Sequence, residues 1–247
     1  MQDSGAASPE EAGSRLIAPL WHTAVVVLVL LGFSALGARS HSAFGIRGHG
    51  HIVGYLTAAS FEWLMVAFVW FGLRLRGNRL RGLLGERWSK GRKAFADLGW
   101  GAVFLAASNV VLGVFALLLK ATPNRALRGL FPQGLAEVLA FLLLSLTAGI
   151  CEEILCRGYL QRQFTALSKS ATAGVIIQGI IFGAAHGYQG PKYMVMISVY
   201  GFLFGAMVHW RRSLLPGMAA HFLQDGALGL LLGQTLKRTG SLRLLLG

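Results

Sequence analysis

Nine ionisable side chains of this 247-residue chain lie within or beside long apolar runs: Glu62, Glu137, Glu152, Glu153, Arg157, His186, His209, His221 and Asp225. A charge at membrane depth costs a few kcal/mol or more, so such a residue points to pairing or to chemistry. Most of them gather in three short stretches. The first reads Cys151-Glu152-Glu153-Ile154-Leu155-Cys156-Arg157-Gly158. Neighbouring residues on a helix point about 100° apart, so the two glutamates serve different partners. Glu153 and Arg157 share a face at a spacing of four, acid first, which is the favourable order for an ion pair. Glu152 is left for other work, and two adjacent carboxyls in a low dielectric favour one poised for proton transfer. A helix that merely leaves the membrane at this point is the plainer alternative.

The second stretch, Phe182-Gly183-Ala184-Ala185-His186-Gly187, brings an imidazole to the end of an apolar segment whose small residues permit close helix approach. An interfacial or packing histidine would look the same. The third, His221-Phe222-Leu223-Gln224-Asp225, puts an imidazole and a carboxylate on one helical face. An internally satisfied His–Asp hydrogen bond would also account for it.

The elements that must carry these groups are membrane helices. Hydrophobic residues make up 54% of the chain and charged ones 13%, about half the share usual in soluble domains. Seven apolar runs follow one another: Leu20–Leu36, Ile52–Leu73, Leu98–Leu119, Leu135–Cys156, Ala171–His186, Tyr193–Trp210 and Leu214–Leu232. The expectation is an all-α polytopic bundle of about seven helices, six to eight, with the first and fifth runs near the lower limit for a span. The chain divides into a flexible polar segment over 1–19, N-terminal membrane helices over 20–134, a core bearing the three stretches over 135–233, and a short tail over 234–247. An appended soluble catalytic domain is excluded for want of residues. The first run follows a segment with more acids than bases and reads as an uncleaved span rather than a secretory signal.

Charge sets the orientation. The 74–93 loop carries Arg74, Arg76, Arg79, Arg81, Arg87, Lys90, Arg92 and Lys93 against Glu86, which places it in the cytoplasm together with the N-terminus. Fourteen of the 23 lysines and arginines then lie on the inner side. The net charge of +13 is thereby explained by topology and anionic headgroups, not by nucleic acid. With the fourth helix continuing to about Phe164, Glu152 lies roughly 18 Å from its cytoplasmic end. His186 lies about 22 Å along the fifth run and His221 about 10 Å along the seventh, so one cavity open to the cytoplasm would hold all three.

Taken in order, Glu152-Glu153-x-x-x-Arg157, Phe182-x-x-x-His186 and His221-x-x-x-Asp225 resemble the three motifs of the CPBP family, the type II CAAX prenyl proteases, bacteriocin-processing enzymes and related intramembrane endopeptidases. The likeness covers roughly Leu135 to Leu232. It implies a glutamic-type endopeptidase without a cofactor. Glu152, assisted by His186, would activate water; His221, with residue 225, would stabilise the oxyanion; Glu153 and Arg157 would fix the site. The third motif often ends in Asn, whereas this chain has Asp225; an ionised aspartate donates no hydrogen bond, so Asp225 is either protonated or orients a charged His221. Zinc held by Glu152, His186 and His221 is the chemical alternative, although no His-Glu-x-x-His motif occurs. The implied partners are the bilayer and a membrane-anchored protein or peptide, such as a prenylated tail, a leader peptide or a C-terminal anchor, in a bacterial inner membrane.

The rival reading is non-enzymatic: an immunity or scaffold protein, or a proton-coupled transporter. The absence of repeated halves and of Pro-broken helices near the motifs counts against transport. Glu62 lies mid-span and is expected to pair within the bundle or, failing that, to line a substrate route. Gly201-x-x-x-Gly205 reads as helix packing. His41, His49 and His51 fall in a glycine-rich outer loop and read as solvated, Trp210 beside Arg211 as an interfacial anchor, and Cys151 and Cys156 as unpaired.

Overall fold

The computed structural model describes residues 15–40, 51–85, 91–122, 130–132 and 134–246, with side chains described as far as Leu231 apart from residues 40, 92–94 and 228. His41, His49 and most of the N-terminal segment lie outside the described residues. Among the described residues eight helices follow in order: α1 (Leu20–Ser40), α2 (His51–Arg74), the single turn α3 (Arg81–Leu84), α4 (Gly91–Leu118), α5 (Leu135–Ser168), α6 (Ala171–Ala184), α7 (Pro191–Arg211) and α8 (Leu215–Leu246). The all-α bundle expected from the runs is what forms, and no strand occurs among the described residues. Five of the helices, α1, α2, α4, α5 and α7, are long and apolar enough to cross a membrane. Their outward faces carry large apolar side chains such as Leu64, Val110 and Leu117, at 68%, 70% and 80% exposure, which is the surface lipid would cover.

Three elements depart from the sequence expectation. The fifth run ends as helix at Ala184, two residues before His186, and its 14 residues make α6 a short helix of about 21 Å. The seventh run continues as helix to Leu246, through the segment read as a tail. Helix α3 forms inside the basic loop, where Leu83 is buried and the Arg162 guanidinium donates to the carbonyls of Gly82 and Leu83 at 2.8 and 3.0 Å. His51 is also not a solvated loop residue. It opens α2 and meets Glu137 of α5 at 3.0 Å.

Helix α5 is the centre of the bundle, packed by α2, α6 and α8. Its middle, Glu153–Leu160, is wound as a π-helix in which every residue is buried. Such wide turns within α-helices are frequent at functional sites. Behind it stands a closed polar network. Tyr159 donates to His22 Nδ1 at 2.7 Å, because His22 Nε2 spends its proton on the Phe68 carbonyl at 2.9 Å. Gln163 bonds the backbone of Ile17 and Ala18 and the Thr23 hydroxyl, tying α1 and the chain before it to α5.

Glycines let α6 and α7 touch backbone to backbone. A Cβ on Gly201 would stand 2.8 Å from Gly179 Cα, and the side-chain amides of Gln178 and Gln161 donate to the carbonyls of Gly201 and Gly205. The small-residue pattern of α7 is therefore a packing seam, as read. Trp210 is more than half exposed, and its ring stands against Trp100 and the Arg211 guanidinium. Both cysteines are buried and free.

Candidate active site

Glu152 and Glu153 close the first, α-helical part of α5 and open its π segment. Their side chains diverge as adjacent helical residues must: Glu153 is fully buried, while the Glu152 side chain keeps 20% exposure. Glu153 Oε1 lies 3.0 Å from Arg157 Nη1, both side chains inaccessible. This is a charge contact rather than an aligned hydrogen bond, and the guanidinium nitrogens have no hydrogen-bond acceptor. Two aromatic faces take their place, Phe182 at 4.2 Å and Phe204 at 5.1 Å from the guanidinium carbon. Cation–π attraction strengthens when the cation is desolvated, about 2 kcal/mol or more, which suits a charge at this depth.

His221 of α8 joins the two glutamates. Its Nδ1 lies 3.3 Å from Glu153 Oε1. Its Nε2 faces Glu152 Oε2 at 3.6 Å and Asp225 Oδ2 at 3.7 Å, in reach of both charges but beyond a hydrogen bond. Phe182, Tyr200 and Phe204 enclose the ring, with centroids 6.0, 6.2 and 5.7 Å away and planes steeply crossed. The imidazole thus has a closed side, occupied by Glu153, and an open side, where Asp225 keeps 37% side-chain exposure.

His186 arrives from a different quarter. It sits in the turn that ends α6, and its Nδ1 is 2.8 Å from the Phe182 carbonyl. A carbonyl only accepts, so Nδ1 carries a proton, and Nε2 is the ring nitrogen left to accept when the ring is neutral. Ser34 of α1 holds this turn: its hydroxyl donates to the Ala184 carbonyl at 2.7 Å and accepts from the Gly187 N–H at 2.8 Å. One side chain thus satisfies an orphan carbonyl of the helix C-terminus and an N–H of the turn that follows it. His186 and Glu152 each interact electrostatically with Asp225, and no hydrogen bond or ion pair joins the two among the described residues.

The three stretches therefore meet around His221 and Asp225. Two residues join them from elsewhere. Glu62 of α2 does not find the pairing expected of it within the bundle. Its Oε2 is buried without a hydrogen bond, and its carboxyl interacts with those of Glu152 and Asp225. A lone acid in mid-span was the signal for it. Tyr200 of α7 is buried against His221, its hydroxyl without a hydrogen-bond partner, and a tyrosine in an apolar run gives no comparable signal. Glu137 and His209, the remaining candidates, stand apart: Glu137 pairs with His51, and His209 lies near the end of α7. Among the described residues no group of three or more His, Cys, Asp or Glu side chains is arranged to hold a metal ion.

Residues 134–227 match the model of a family described as Rce1-like, type II CAAX prenyl endopeptidase Rce1-like. That is a family of proteases. The match spans little over a third of the chain and contains Glu152, Glu153, Arg157, His186, His221 and Asp225, the residues on which the CPBP resemblance rested. At family level it supports a CAAX-type membrane peptidase, and with the five apolar helices it supports an integral, multi-pass membrane protein. No curated protein and no solved structure matched the chain.

Proposed function

We propose that this protein is an intramembrane endopeptidase in which Glu152, assisted by His186, activates water to cut a peptide bond of a membrane-associated protein or peptide. The observation that carries the reading is the two-sided placement of His221, fixed by Glu153 behind and facing Glu152 and Asp225 in front. Water held between Glu152 and the Nε2 lone pair of His186 gives a proton to the Glu152 carboxylate, which later passes it on, and the oxygen attacks the scissile carbonyl carbon. The carbonyl oxygen takes the negative charge and receives a hydrogen bond from His221 Nε2–H. Breakdown of the tetrahedral intermediate returns the carbonyl, breaks the C–N bond and passes the proton to the leaving amine. Asp225, an acceptor when ionised, orients His221 rather than binding the oxyanion itself. Glu153 and Arg157 position the imidazole.

The basic loop between α2 and α4 favours a cytoplasmic N-terminus, as in a bacterial inner membrane, and a site reached from that side. The family description makes a prenylated CAAX peptide the first substrate to try, with leader peptides and membrane anchors beside it. The test uses full-length protein in proteoliposomes, a fluorogenic farnesylated CAAX peptide and this wider panel, with and without a chelator. Wild type is expected to cut, Glu152→Ala and His186→Ala to lose about 10²–10⁴-fold, and the chelator to change nothing. Loss of cutting with chelator would transfer Glu152, His186 and His221 to a metal. Variants as active as wild type would leave a non-enzymatic membrane protein.

A further inference from the structure

The mechanism above leaves one donor missing. An oxyanion is stabilised by two or more preorganised donors, and residue 225 supplies none when it is ionised. His221 Nε2 supplies one. The structure offers a second candidate beside His221. Tyr200 lies on α7, 6% exposed, with its ring plane at 87° to that of His221 and its centroid 6.2 Å away. Its hydroxyl is buried and makes no hydrogen bond. The groups that act on it electrostatically are Asp225, Glu153 and Arg157, so it lies among the charges of the site, not against lipid. Leaving such a hydroxyl unpaired costs about 1–3 kcal/mol, which a phenylalanine of the same shape would avoid. Phe204, one turn further along the same helix and packed on the Tyr200 ring, shows that an aromatic without a hydroxyl fits this wall.

We propose that the Tyr200 hydroxyl is the second oxyanion donor of the site, a neutral O–H supplied from α7 where an ionised Asp225 supplies none. It rests on the endopeptidase reading. The phenol keeps its proton throughout: it donates a hydrogen bond to the carbonyl oxygen as that oxygen gains charge and releases it as the C–N bond breaks. The acceptor it lacks arrives with the substrate.

Tyr200→Phe removes one oxygen and no volume. The expected result is a fall in kcat of about 10²-fold with KM changed less than about twofold, and a melting temperature equal to wild type or higher. Adding Asp225→Asn to that variant introduces an amide donor on the facing helix and is expected to restore about tenfold of the loss. Wild-type kcat in Tyr200→Phe, or a change confined to KM, would overturn the proposal while an inactive Glu152→Ala left the endopeptidase reading in place. A loss accompanied by a lower melting temperature, or one that Asp225→Asn does not relieve, would make Tyr200 structural or positioning and equally overturn it. Equal cutting by wild type and Glu152→Ala would overturn both readings.

Discussion

Gly217 is the position at which one added carbon should disable the site without unfolding the bundle. It lies in the first turn of α8, and a Cβ there would stand 2.6 Å from Glu153 Oε2, 3.2 Å from its Cδ and 3.5 Å from Phe204 Cδ1. Ordinary contact begins at 3.4 Å, so the carboxylate must retreat by about 0.8 Å. It has nowhere neutral to go. The Glu153 side chain is fully buried, and its other oxygen is 3.0 Å from Arg157 Nη1 and 3.3 Å from His221 Nδ1. Losing a hydrogen bond to a charged group is worth about 1.5–3 kcal/mol, or roughly 10–100-fold in rate if His221 loses its orientation. Overpacking costs about 1–3 kcal/mol of stability, offset by up to about 1 kcal/mol from replacing a helical glycine. Gly217→Ala should therefore lose one to two orders of magnitude in kcat/KM and only a few degrees in melting temperature. Gly226→Ala is the control on the same helix: its new carbon meets only the far end of Leu142, at 3.3 Å, and activity should stay near wild type. Full activity in Gly217→Ala would show that Glu153 does not hold His221, and the positioning argument would fail with it.

Three further outcomes follow from the same contacts. Gly72→Ala sets a carbon 2.5 Å from His22 Nε2 and 2.6 Å from Nδ1, so the His22–Tyr159 bond behind the π segment should break. A loss of about 2–3 kcal/mol is expected in thermal unfolding, against no loss for Gly82→Ala, which meets nothing within 4 Å. Ser34→Ala removes both bonds that hold the His186 turn, and should lower kcat severalfold with about 1–2 kcal/mol of stability; an unchanged kcat would detach the turn from catalysis. Glu62→Gln keeps the volume and removes one carboxyl from a crowd of three, so the melting temperature should hold or rise and activity stay within about fivefold. A lower melting temperature would mean that a cation balances Glu62 after all.

What could be read from the sequence was what burial makes expensive. Apolar runs located the helices, because a span must be apolar whatever its neighbours are; Ile52–Leu73 differs from α2 by one residue at each end. The charged motif residues announced themselves for the same reason. Features decided by backbone pairing stayed hidden. The π winding of Glu153–Leu160 has no residue-type signature. The end of α6 at Ala184 was hidden in a run of small residues that would serve equally in helix or turn. The extension of α8 to Leu246 escaped because the residues after Leu232 form no long apolar run. Tyr200, Ser34 and His22 are ordinary residues of apolar helices, and only their three-dimensional partners distinguish them.

The charges at the site also explain why residues outside the matched segment belong to it. Glu62, Glu152, Glu153 and Asp225 bring four carboxyls to one place, and Arg157 is committed to Glu153 and to two aromatic faces. The imidazole of His221 is then the group that must answer both Glu152 and Asp225, which it does only while Glu153 keeps its Nδ1 side closed. That constraint travels outward. Glu153 stays put because Gly217 leaves it room and the π segment is backed by the His22–Tyr159 bond, which reaches α1. His186 stays put because Ser34, also of α1, ends α6. Cutting the chain to residues 134–227 would keep every motif residue and lose both supports, so the chemistry should require the N-terminal helices even though none of the proposed catalytic groups stands on them.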